Sequence, residues 1–230
     1  MIAKFFLMPK LKIILFLFTS VLIISFSNII FAHPIHDLDK LSTIDVGWVY
    51  LQLGFTHILP YGIDHILFVL GLFLLSPKLK PLLWQISAFT IAHSITLSLA
   101  MFNIVNIPSS IVEPIIALSI VFIAVENIVS KDLKPWRIAI IFLFGLIHGL
   151  GFAGVLKELG LPQNQFVNAL ICFNIGVELG QIAVVLIAYF AVGLWFQSKK
   201  WYRDRIVIPG SLIIAAIASY WTIQRIFFPE

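Results

Sequence analysis

The chain has 230 residues, 60% hydrophobic and only 11% charged, with a mean hydropathy of +1.05. Soluble domains carry roughly 25% charged residues, and a core of this size cannot hide so much apolar surface, so a water-soluble globule is excluded; disorder, which needs low hydrophobicity and high charge, is excluded too. The formal charge of +4 does not point to nucleic acid, because the basic residues fall in short clusters between apolar runs, the pattern of membrane topology.

Residues 1–32 read as a secretory signal. Lys4, Lys10 and Lys12 give the basic end, Ile13 to Ile24 the apolar stretch, and Ala32 the small residue at the cleavage point. Ile30 departs from the small residue usual two positions earlier, so an uncleaved first helix is the alternative. Residues 33–46 form an extracytoplasmic segment in which His33, His36 and Asp37 are either metal-capturing groups or a solvated tail.

Residues 47–230 are predicted to form an all-α integral membrane domain, a polytopic bundle of six transmembrane helices. The apolar stretches lie near 47–75, 82–103, 110–130, 138–157, 166–196 and 206–226. A span takes about 20 residues as helix, and backbone groups in lipid must be satisfied within the segment. The first and fifth stretches are longer than needed, so tilt or a break must absorb the excess. Lys78, Lys80, Lys131, Lys134, Arg137, Lys199, Lys200, Arg203 and Arg205 follow the first, third and fifth spans. The positive-inside rule makes those loops cytoplasmic, which predicts a bacterial inner-membrane protein with both mature ends outside. The single cysteine, Cys172, rules out an intrachain disulfide, and three methionines are too few for a thioether-lined copper route.

Ionisable residues inside spans cost about 2.5 to 3.5 kcal/mol each on insertion scales and mark function by default. The first span holds His57, Asp64 and His65 in the run GFTHILPYGIDHILF. At 100° per residue His57 and Asp64 lie about 20° apart and His65 about 80° from His57, so all three can share a cavity. Pro60 and Gly62 between them predict a kink or an unwound turn. The second span carries Ser87, Thr90, His93, Ser94 and Ser98; the third opens with Glu113-Pro114 and ends with Glu126-Asn127. The fourth contains His148 among Gly145, Gly149 and Gly151, and the fifth Asn174, Glu178 and Gln181. Depth along the spans groups Asp64, His65, His93, His148 and Glu178 near mid-bilayer, with His57 and Glu113 further out. Imidazole with carboxylate suits nickel, cobalt, zinc or iron.

Several of these residues have plain structural readings. The Asn174 and Gln181 amides and His93 serve as interhelical glue, the glycines as packing residues, and Glu126 as a partner for the basic loop. The phenylalanines read as mostly lipid-facing bulk.

The run from His57 to His65, then Phe89 to Leu97 (FTIAHSITL), Phe144 to Gly149 (FGLIHG) and Phe173 to Gln181 (FNIGVELGQ) resemble the HupE/UreJ family in the same order. These are hydrogenase- and urease-associated membrane proteins regarded as nickel or cobalt permeases. The family's first motif has one residue fewer than the six that separate His57 from Asp64 here. In its second motif Phe144 and Gly151 stand where the family has a His and a Glu, so the chain resembles a divergent branch. Asp64, His65 and His148 carry over directly, and His57 with a one-residue shift. The resemblance implies a secondary permease for a divalent transition metal, nickel or cobalt as cargo, no permanently bound cofactor, and a metalloenzyme maturation system as partner. No P-loop signature occurs. Two other functions stay open. One is an intramembrane zinc hydrolase acting on lipid, with His65, His93 and His148 on zinc. The other is a non-transporting accessory or sensor protein.

Overall fold

The computed structural model describes residues 41–228. The expected signal and the segment with His33, His36 and Asp37 lie outside the described residues. Among the described residues every regular element is helical.

Helix α1 spans Thr43–Ile58. Ser42 caps it: its hydroxyl accepts the Asp45 N–H at 3.2 Å and donates to Asp45 Oδ2 at 2.6 Å. The helix stops at Pro60, which has no N–H to continue the ladder. Helix α2, Ile63–Leu75, resumes after a bend of 67°. Gly62 makes the turn possible, because a Cβ there would run into the His57 carbonyl. The predicted break at Pro60 and Gly62 is therefore present, and it is sharp enough to leave two short helices where one span was expected.

Helices α3 (Leu79–Met101), α4 (Ser109–Val129) and α5 (Arg137–Leu159) follow. Helix α6 covers Phe166–Ala188 and runs on through a π turn at Tyr189–Gly193 to Phe196. A second π turn at Arg203–Val207 leads into α7, Ile208–Phe227. Five of these helical segments are each long and apolar enough to cross a membrane, and the bent α1–α2 pair makes a sixth when taken as one span. The chain is thus a multi-pass helical membrane protein, with five or six candidate spans among the described residues.

The helices pack in pairs, α1 along α6, α3 along α5 and α4 along α7, with α2 set among α3, α4, α6 and α7. Two of these contacts are close enough to need glycine. On the α1–α6 line a Cβ on Gly54 would meet the Phe173 carbonyl, and one on Gly176 the Leu51 carbonyl. On the α3–α5 line Gly145 and Gly149 lie against the carbonyls of Phe89 and His93. Small residues allow this approach, which in lipid substitutes dispersion contacts for the missing hydrophobic drive. Buried polar groups stitch the pairs together. Asn127 Nδ2 donates to the Gly71 carbonyl at 2.8 Å and to Ser211 Oγ at 3.2 Å. Thr90 Oγ1 donates to Gln181 Oε1 at 3.0 Å, the glue role expected of that amide. Arg203 donates to the carbonyls of Asn127, Ile128 and Ser130, the end of α4 where a cation complements the helix dipole.

The outer surface is apolar, with Ile91, Leu118, Leu143, Ile175 and Ile213 exposed together with Trp84, Trp136 and Trp195. Of the phenylalanines, read as mostly lipid-facing bulk, Phe122 is exposed, whereas Phe68, Phe73, Phe89 and Phe173 are fully buried.

Candidate functional site

The α1–α2 turn brings His57, in the last turn of α1, beside His65, in the first turn of α2. Their ring centroids are 4.8 Å apart. His148 on α5 lies 5.0 Å from His65, and His93 on α3 lies 6.0 Å from His65 and 6.3 Å from His57. Four imidazoles from four helices thus form one cluster. His65, His93 and His148 are buried, and His57 is half-buried.

Phenylalanines wall the cluster. Phe89 touches the rings of His65, His93 and His148, Phe68 faces His148, and Phe152 lies 3.8 Å from His57 between centroids. The imidazoles therefore have few polar neighbours. His57 Nε2, His65 Nε2, both nitrogens of His93 and His148 Nδ1 are buried without a hydrogen-bond partner. Unpartnered buried polar atoms are costly, and such a group gathered at one place needs an explanation.

One nitrogen is accounted for. His148 Nε2 lies 3.0 Å from Ser119 Oγ. The Ser119 hydroxyl has a single proton, which it donates to the Ile116 carbonyl at 2.7 Å. Ser119 must then accept from His148, so Nε2 carries the hydrogen. The lone pair of His148 is left on Nδ1, which has no partner. This is how a second group fixes the tautomer of a metal-binding imidazole.

Metal–imidazole bonds of about 2.0 to 2.1 Å place two rings on one ion roughly 5 Å apart between centroids. The spacings of 4.8 and 5.0 Å around His65 match that figure. Among the described residues no three donor side chains converge as a metal site.

A cavity of about 510 Å3 reaches the cluster and is lined by His57, His65, His148, Asp64, Glu113 and Arg225, among others. His93 does not line it and stands behind His65. Asp64 turns to the mouth, where its Oδ2 pairs with Arg225 at 2.9 Å. Arg225 lies in the last turn of α7 and also donates to the Glu113 carbonyl at 3.1 Å. Its guanidinium lies over the Trp221 ring. Asp64 thus lies partly exposed beside Arg225, whereas His65, His93 and His148 are buried. His148, nine residues before Lys157 in the last turn of α5, is about 14 Å in from that end. His57, expected further out, instead joins the cluster.

Glu178 departs from the expected arrangement. Its Oε1 accepts from Ser87 at 2.6 Å, and it lines a separate groove of about 530 Å3 with Thr90, Ser94, Ser98 and Asn174. On α6 the face toward the histidines is that of Phe173, whose ring is 5.9 Å from His57, and of buried Val177. Glu178 follows Val177 and points about 100° away from it. The expected polar stripe on α3 splits in the same way: His93 faces the cluster, while Thr90, Ser94 and Ser98 face the groove.

At the far end of the bundle three polar side chains interlock. Glu126 Oε2 pairs with Arg137 at 2.8 Å, and Arg137 Nε donates to Gln85 Oε1 at 3.1 Å, all three side chains being buried. Glu126 thus has the structural partner expected of it. The residues that sequence reasoning passed over are Ser119 and Arg225. Ser119 carries the only hydroxyl in the middle of α4, a signal that was available. Arg225 was visible only as a basic residue near the end of the last span.

The fold and the cluster define a class: a multi-pass helical membrane protein with a buried imidazole site reached through a polar mouth. The HupE / UreJ protein family model matches residues 36–225. The chain belongs to the HupE/UreJ family. No curated protein and no solved structure matches it.

Proposed function

We propose that this protein is a secondary permease for a divalent transition-metal cation, nickel or cobalt, with its cavity open to the extracytoplasmic side of the bacterial inner membrane. The observation that carries the reading is the group of unpartnered imidazole nitrogens at the floor of the cavity. Neutral imidazole binds these metals, and a desolvated ion replaces the missing hydrogen-bond partners. Glu113 and Asp64 at the mouth offer charge to an arriving cation. His57, His65 and His148 receive it, with His93 behind them on the inward path. Membership of the HupE/UreJ family agrees with this assignment.

Energy for accumulation comes from the membrane potential. A doubly charged ion moving inward gains about 4.6 kcal/mol at 100 mV, from about 2.3 kcal/mol per charge. The buried Glu126–Arg137 pair stands on the inward path, so passage requires that contact to part while the mouth closes.

The test is uptake of radioactive nickel and cobalt by cells expressing the chain, beside His148→Ala and Asp64→Ala variants at equal membrane abundance. Uptake by the wild type and its loss in both variants is expected. Uptake that persists in both variants refutes the site. A tightly held stoichiometric zinc in purified protein, with no uptake of either ion, would point to the intramembrane hydrolase instead.

A further inference from the structure

Arg225 puts a fixed positive charge where a metal permease should attract cations. It lines the cavity, it pairs with Asp64 at 2.9 Å, and both side chains are 23% exposed. It is also held from two other sides, by the Glu113 carbonyl and by the Trp221 ring. A guanidinium placed this way occupies the carboxylate that an incoming ion would use first.

We propose that Arg225 is a specificity-determining residue, a tethered cation that must be displaced from Asp64 before an ion reaches the histidines. The proposal rests on the permease reading. An ion of charge two gains twice the Coulomb energy of a singly charged ion at the same distance from Asp64. A divalent metal can exchange for the guanidinium, and the histidines below then add bonds that the guanidinium cannot make. Sodium and potassium offer Asp64 no more charge than Arg225 already does, bind imidazole poorly, and stay outside. The partly exposed setting suits exchange, because water reaches the pair and screens it. The buried Glu126–Arg137 pair at the other end has no such exposure and is not exchangeable in this way.

The experiment compares nickel uptake by wild type, Arg225→Gln and Arg225→Lys while sodium replaces choline at constant ionic strength. Wild type and Arg225→Lys should be indifferent to sodium. Arg225→Gln should reach half-maximal uptake at about fivefold lower nickel, the factor that about 1 kcal/mol represents, and sodium should now compete. Unchanged half-saturation with no sodium competition in Arg225→Gln overturns the proposal and leaves the permease reading standing. A wild type that takes up nothing removes both. If Arg225→Gln fails to reach the membrane, the wild type carries the test. Cobalt titrated into the purified protein should change the part of the tryptophan emission that Trp221→Phe removes, and sodium should not. An equal response to both ions, or none to cobalt, refutes the proposal.

Discussion

Ser119→Ala tests the site at its best-defined point. The hydroxyl accepts from His148 Nε2 at 3.0 Å inside a fully buried contact. Alanine leaves that N–H without a partner, at a cost of about 1 to 3 kcal/mol in stability. It also releases the ring to adopt either tautomer and to rotate, so the Nδ1 lone pair is no longer presented to the cavity. Loss of such a supporting group typically weakens metal binding 10- to 100-fold. The assay is equilibrium cobalt binding to purified protein, measured for wild type, Ser119→Ala, His148→Ala and the double variant. If Ser119 acts through His148, its removal has no further effect on cobalt affinity once His148 is gone. Undiminished affinity in Ser119→Ala, or an equal loss on both backgrounds, refutes the tautomer argument.

Three other outcomes are expected. Gly149→Ala forces a Cβ against the His93 carbonyl and Thr96 Oγ1, whereas Gly154 has nothing within 4 Å; thermal unfolding in detergent should show a marked loss for Gly149→Ala and a gain of up to about 1 kcal/mol for Gly154→Ala, from helix propensity. Arg137→Met leaves Glu126 buried and unpaired and should lower stability by about 3 to 5 kcal/mol, with much of the loss recovered when Glu126→Leu is added, which the same measurement checks. Glu178→Gln should leave half-saturation for nickel uptake unchanged, because Glu178 opens on a different groove; a shift as large as that of His148→Ala would return it to the metal path.

The sequence alone determined that the chain is helical and embedded, because apolar runs of this length have only one way to satisfy their backbone in lipid. It also located the break in the first span, since a proline and a glycine act locally, and the family, since that rests on the order of residues. His65, His93 and His148 were legible for a related reason: an imidazole in hydrocarbon is costly wherever it faces. What the sequence left open was direction. One residue on a helix is a rotation of about 100°, and that rotation separates buried Val177 from Glu178 in its own groove. Only the packing of α1 against α6 and of α3 against α5, set by glycines meeting carbonyls, fixed which faces met. The tertiary structure likewise decided what partners distant residues found. Asp64 meets Arg225 across 161 positions of chain because α2 packs near α7, and His148 meets Ser119 across 29 because α5 packs against α4. No local pattern encodes that neighbourhood.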